Sequence, residues 1–401
     1  MSRQRIALNL PIWSIFAMGI ILLFSTNFSV AANISAIQVT DQTYPAVETV
    51  ASFRDIVPRG IAITSDSRMF LCCPRGHNAE MPTLVEVREG KSIPYPNAQM
   101  NKLDMLHPVQ CFISAMAAAV DNDNHLWVLD NGRKGRTLIY GGAKLVGIDL
   151  STNAVFKTIL LKNYVLSPDI VLYDLEIAPL HGKSGTALVS GSGSLAPGIL
   201  LVSDLDSGHT MHRLHQHESV RPNENSVVFV EGELIRVRKD NEVQNEWLPG
   251  VFGLTINGDQ DRLYYSAVTS QDIFSVDLNK LCDPNIDNKE VEKTVKHVDY
   301  KVALGTGIEC DKQNRIYLSD VEHNAIWRRH LDGSIDIVAR SDKLHYPDHL
   351  FIANDGYLYI TASHYRHGTR FICGEDERVP PFEVLRVFVN TTTATLCSHS
   401  F

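Results

Sequence analysis

The chain has 401 residues, enough for one large domain or two ordinary ones. With 44% hydrophobic and 21% charged residues, it has the composition of an ordinary folded protein. A formal net charge of −9, with no basic block to offset it, argues against nucleic acid or an anionic membrane surface as a partner.

The first element reads as an export signal. Arg3 and Arg5 precede an apolar run from Ile12 to Phe24, and "FSVAA" (28–32) supplies small residues for cleavage after Ala32. The run is short of the roughly 20 residues a membrane-spanning helix needs, so a cleaved signal over 1–32 is preferred to an anchor. The mature chain, 33–401, is expected to be secreted or periplasmic and to form one domain. Seven cysteines fit an oxidising compartment, and the odd number leaves at least one without an intrachain partner. Cys72 and Cys73 are adjacent on a predicted strand and should face opposite sides, while Cys373 and Cys397 are candidates for tethering the C-terminal tail. Asn33-Ile-Ser and Asn390-Thr-Thr are glycosylation acceptors if the host is eukaryotic.

From residue 60 onward one pattern recurs six times: a short apolar run, a polar turn usually containing Asp, then a second apolar run with an aromatic. It reads "GIAITSDSRMFLC" (60–72), "AMAAAVDNDNHLWVLD" (115–130), "DLEIAPLHGKSGTALVS" (174–190), "GLTINGDQDRLYYSAV" (253–268), "GIECDKQNRIYLSD" (307–320) and "DHLFIANDGYLYITA" (348–362). Each unit is followed by a further strand candidate: "TLVEV" (83–87), "KLVGIDL" (144–150), "GILLVSDL" (198–205), "DIFSVDL" (272–278), "AIWRRHL" (325–331) and "FEVLRVFV" (382–389). Six such units predict an all-β, six-bladed β-propeller. The segment "VETVASF" (47–53) is expected to supply the outer strand of the last blade and close the ring. The rival, a two-sheet β-sandwich with long loops, does not account for six repeats of the same two-part unit.

At "HLWVLDNGR" (125–133) the sequence resembles the Yellow/major royal jelly protein family, whose hallmark is an Asp-led turn into "LWVLD" on the second blade. "AKLVGIDLSTNAVFKTILL" (143–161), "GILLVSDLDSGHTMHRLHQHESV" (198–220) and "GLTINGDQDRLYYSAVTSQDIFSVDLNKL" (253–281) extend the resemblance over most of the mature chain. Asn131 stands where the family has a small hydroxyl residue. The resemblance implies a secreted six-bladed propeller. The functions it implies vary: dopachrome conversion, binding of biogenic amines, and nutritional or signalling roles.

Four histidines crowd "HTMHRLHQHE" (209–218). On an outer strand His215 and His217 would share one face and His212 the other, leaving two ligands where a transition metal wants at least three, so solvated histidines are expected. The six-bladed gluconolactonase-like enzymes hold a divalent cation with Glu, Asn and Asp ahead of their inner strands, whereas the matching positions here are Arg59, Phe252 and Thr306. No metal and no other cofactor is expected. "GSGSLAPG" (191–198) lacks a following helix and reads as a loop rather than a phosphate cradle.

In a propeller the residues ahead of each inner strand ring one mouth of the channel. Here these are Arg59, Cys111 to Ser114, Tyr173-Asp174, Phe252, Thr306 and Asp348-His349, with "RPNENSVVF" (221–229) expected to cross above and present Asn223, Glu224 and Asn225. Arg59, Tyr173, Phe252, Asn223, Asn225 and Thr306 are the predicted ligand-binding residues. Aromatics with carboxylates suit a small aromatic or amine ligand. The same groups suit a tautomerisation, and the predicted catalytic residues are His349, Asp348 and Asp174. A histidine shuttles protons near neutrality, and Asp174 or Asp348 would orient it or hold a substrate amine. The bland alternatives are that Asp348 caps the turn "YPDH", that Tyr173 is core and that His349 faces the blade interior. Three functions stay open: a dopachrome tautomerase-type enzyme acting on an indole or catechol, a non-catalytic binder of amines or other small aromatics, and an extracellular scaffold.

Overall fold

The alternation of apolar and polar residues, broken at Asp-led turns, folds into six four-stranded antiparallel sheets. The computed structural model describes residues 44–395 except 76–79, 136, 162–168, 194–197, 240–241, 247–248, 369–370 and 372–375. The expected signal, Asn33, Cys373 and Cys397 lie outside the described residues.

The six inner strands are Gly60–Ile63, Ala115–Val120, Val171–Ala178, Val251–Ile256, Ile308–Cys310 and Pro347–Ile352. In the first five blades each sheet follows chain order outward. The sixth takes its outermost strand from the other end of the domain. Glu48–Phe53 pairs with Phe382–Phe388, setting Phe53 opposite Phe382 and Glu48 opposite Arg386. The fold is thus the six-bladed propeller read from the sequence, closed by the N-terminal strand.

The recurrent aspartates explain the repeat. Asp121 accepts the backbone N–H of Asp123 and of His125, each at 2.9 Å, and its other oxygen takes the Trp127 indole N–H at 2.8 Å. Asp311 does the same work in the fifth blade, accepting Gln313 N, Arg315 N and the Tyr317 hydroxyl. One carboxylate fixes the turn and anchors the aromatic that fills the space between blades.

The core lies between neighbouring blades. Ala62, Phe70 and Leu84 of the first pack with Leu126, Val128 and Val146 of the second. Leu188 and Leu200 of the third pack with Leu254 and Tyr265 of the fourth. Each such aliphatic side chain contributes about 1.5–3 kcal/mol on burial. Cys72, the last residue of its strand, and Cys73 just beyond it enter different clusters. Cys72, Cys73, Cys111, Cys282 and Cys310 are all free thiols. Helix is confined, among the described residues, to the short segments Ala98–Asn101, Leu278–Cys282 and Asn288–Glu292 and two 3-10 turns. None of the described helices is long and apolar enough to cross a membrane.

The histidine-rich stretch departs from its expected form. Its strand, Thr210–Arg213, ends before His215, because Leu214 and Gln216 adopt positive φ and break the alternation. His217 caps the turn Glu218–Val220 through Ser219, and His209 is exposed. The strand's anchor is Arg213, whose guanidinium binds the carbonyls of Leu281, Asp283 and Ile286 in the connector of the fourth blade.

Candidate functional site

Four inner strands slip register by one residue near the same mouth. The residues left without a ladder partner are Met116, Tyr173, Phe252 and Asp348. A β-bulge bends its strand and re-aims the extra residue, and here four of them are re-aimed toward one guanidinium.

That guanidinium belongs to Arg59, which is only 8% exposed. Its Nη1 donates to Tyr173 O at 3.0 Å and to Met116 O at 3.3 Å. The group lies 4.7 Å from the centre of the Phe252 ring, and Nε stands 3.7 Å from Asp348 Oδ2. Arg59 therefore touches the bulged residue of each of the four bulged inner strands. The fifth blade joins through Thr306, whose hydroxyl donates to Asp348 O at 3.0 Å. Backbone must approach backbone closely for this to happen. A Cβ on Gly60 would lie 2.6 Å from Met116 O, and one on Gly253 would lie 2.6 Å from Thr306 O.

The predicted aromatic pair is real: the rings of Tyr173 and Phe252 stack with centroids 4.0 Å apart. The cation on it, however, is Arg59 rather than a ligand's ammonium. Tyr173 is at the same time part of the apolar core.

His349 and Asp174 come together. His349 Nε2 lies 3.2 Å from Asp174 Oδ1, and the other ring nitrogen is buried without a hydrogen-bond partner among the described residues. The His349 side chain keeps 17% of its surface accessible, although Nδ1 itself is enclosed. Backbone N–H groups of Leu175 and Leu254, each at 3.0 Å, fix the two Asp174 oxygens. Burial pushes the Asp174 carboxyl up, but His349, the Leu254 N–H and the Arg59 charge outweigh it and hold it below the ordinary range.

Asp348 is turned differently. Its Oδ2 accepts the Ser363 hydroxyl at 2.9 Å, while Oδ1 is buried with no partner among the described residues. The hydroxyl of Tyr346 nearby is likewise buried and unpartnered, and burial followed by the Asp348 charge pushes its pKa well up. Both are buried polar groups left without a partner among the described residues.

Deeper along the channel stand Glu176 and Glu309. Glu309 Oε1 accepts Cys310 N at 2.9 Å and the Thr255 hydroxyl at 3.3 Å. Burial pushes both glutamates above the ordinary carboxyl range; repulsion from Glu309 and Asp174 adds to it at Glu176, while at Glu309 the Cys310 N–H and the Thr255 hydroxyl pull back only part of it. The one trace Glu309 leaves in the sequence is an acid inside the apolar inner strand "GIEC". Among the described residues no set of three or more His, Cys, Asp or Glu is arranged to hold a metal ion.

Asn223 and Asn225 are not brought to this site. Both are exposed, bonded to one another through Asn223 Oδ1, and tied by the Asn223 N–H to Thr269.

The family model described as Major royal jelly protein matches residues 113–370. Major royal jelly protein 6 of Apis mellifera is 22% identical over 243 residues, covering 58% of this chain and 52% of that protein, so the chain spans about half the length of this relative. Among solved structures, a luciferin-regenerating enzyme superposes with TM-score 0.54 at 9% identity, covering 88% of this chain and 99% of its own. A gluconolactonase from Xanthomonas campestris superposes with TM-score 0.51 at 12% identity, covering 86% and 89%. At such identities the structural likeness speaks for the fold alone.

Proposed function

The chain belongs to the major royal jelly protein family, and on that footing we propose that it is an exported tautomerase-type enzyme acting on a small indole or catechol substrate such as dopachrome. The observation that carries this reading is the His349–Asp174 pair, 3.2 Å apart at the channel mouth. An N-terminal apolar run after two arginines supports export.

In the proposed reaction His349 takes a proton from a ring carbon of the substrate. The electron pair left behind moves through the conjugated ring to a quinone oxygen, which receives a proton, so one proton leaves carbon and one arrives at oxygen. Asp174 supports the step by orienting the imidazole and stabilising it once protonated, its own oxygens being fixed by two backbone N–H groups. Arg59 places a buried positive charge at the centre of the mouth. That charge favours a substrate bearing a carboxylate, or an oxygen that gains negative charge, over one whose only charge is an ammonium.

A binder of amines is the second reading, and the buried, unpartnered Asp348 Oδ1 is the observation that favours it. The two separate in one experiment. The purified protein is titrated with dopamine by calorimetry, and turnover is then followed with dopachrome and with its methyl ester. Turnover of dopachrome above that of the ester supports the enzyme reading. Dopamine binding with no turnover of either compound overturns it in favour of the binder.

A further inference from the structure

The segment between the third and fourth blades leaves the outer strand at the mouth side and returns there to begin the next inner strand. Within it, Phe229–Val230 and Glu233–Leu234 form a hairpin whose two-residue turn is Glu231-Gly232, both at positive φ. Val228, Val230, Ile235 and Val237 are buried in the same apolar cluster as Tyr173, Phe252, Tyr346 and Phe371. The hairpin therefore roofs the residues that surround Arg59.

Its tip reaches the far side of the ring. Glu231 Oε1 lies 2.7 Å from His345 Nδ1, and Oε2 lies 3.1 Å from Arg366 Nη1 and 3.8 Å from His367 Nε2. Arg366 also pairs with Glu233. His345 precedes the inner strand of the sixth blade, and Arg366 and His367 sit in the 3-10 turn after its second strand. The two short strands pair only with each other. Among the described residues no backbone hydrogen bond joins 226–237 to a blade. An isolated two-stranded hairpin is marginal in water, so side-chain contacts alone keep this one down.

We propose that the 226–237 hairpin is a gate over the axial site and that the Glu231 cluster with His345, Arg366 and His367 is its latch. The inference rests on the reading of the His349–Asp174 channel as the ligand site. Opening breaks few backbone hydrogen bonds, and the ion pairs at the tip are partly exposed, which suits a contact that must be remade at each passage.

The test uses the full-length protein and two ligand-free readouts, hydrogen exchange of the Ile235 amide and the rate at which diethyl pyrocarbonate modifies His349, both by mass spectrometry. In Glu231→Gln, and separately in Arg366→Gln, both rates should rise on the order of tenfold, as expected for loss of a charge-assisted cluster. Leu254 and Val384 amides should exchange as before. Faster Ile235 exchange with unchanged His349 modification overturns the gate, because the hairpin would then move without controlling access. No change in either rate overturns the latch. Neither readout needs a substrate, so a protein that fails to convert dopachrome loses the enzyme reading while the gate is judged separately.

Discussion

Replacing Arg59 by Met should cost about 3–5 kcal/mol of stability, the range for stripping one partner from a buried charge pair. The structure gives the terms. Two charge-assisted hydrogen bonds to Tyr173 O and Met116 O are lost, each worth about 1.5–3 kcal/mol. The cation over the Phe252 ring, desolvated at 4.7 Å, adds about 1–2 kcal/mol. Against these stand the roughly 2 kcal/mol of side-chain entropy that Arg59 gives up on being fixed and the cost of desolvating its charge. Asp348, 3% exposed, then keeps Ser363 but loses its nearest cation. Arg59→Met with Asp348→Asn should therefore be more stable than the sum of the single variants by about 1–3 kcal/mol, since the second change removes the stranded charge. Arg59→Lys keeps the charge without the planar fork and should fall between wild type and Met. Equilibrium urea unfolding of the four variants measures all of this. A loss below about 1 kcal/mol for Arg59→Met, or a coupling energy indistinguishable from zero, would refute the idea that Arg59 holds the mouth together.

The buried pair Lys144–Asp130, 2.7 Å apart with both side chains fully inaccessible, makes a companion case. Lys144→Met should cost about 3–5 kcal/mol by the same unfolding measurement, because Asp130 would stay buried with only the N–H groups of Ile113, Ser114 and Gly132. The ground beside the latch should also weaken in acid, where the ring of His364 meets that of His345 at 5.0 Å. Burial, then the charges of His345 and His367, holds His364 down to about 4, so it is neutral in the fold when an unfolded histidine is protonated. Stability from that source is complete above about 6.5 and is lost as pH falls toward 4. Burial raises the Glu231 carboxyl, but the hydrogen bond and charge of His345, with Asn324 and Arg366, outweigh it and leave it below the ordinary range, so its contribution is lost at still lower pH. The protection of the Ile235 amide, its exchange rate taken relative to the intrinsic rate at each pH, should fall from pH 6.5 to 4 in wild type, and the upper part of that fall should vanish in His364→Gln.

The propeller was legible because its signal is redundant. Asp121 and Asp311 each leave the same trace, an acid in the turn and an aromatic six residues later, and repetition makes a weak local cue decisive. The mouth was legible only in part. Order along the chain placed Arg59, Tyr173, Phe252, Thr306, Asp348 and His349 at one end, but a period of two cannot locate an extra residue, so the bulges at Tyr173, Phe252 and Asp348 were invisible. Without them nothing in the sequence says that Arg59 occupies the aromatic face where an amine was expected. The hairpin at 229–234 escaped because two-residue strands carry no periodicity. Asn223 and Asn225 were expected at the mouth by proximity in the chain, yet polar residues at an insertion's start are better placed in water. Histidines 215 and 217 were read on a strand that two left-handed residues, Leu214 and Gln216, bring to an end.

The measurement that bears most directly on the account is dopachrome turnover by His349→Ala and Asp174→Asn beside wild type, with substrate affinity determined on the same preparations. The account predicts that kcat falls about 10²–10⁴-fold in His349→Ala and by a smaller factor in Asp174→Asn, while binding changes little. Turnover by wild type that survives intact in His349→Ala would contradict it and move the chemistry to another group on the channel.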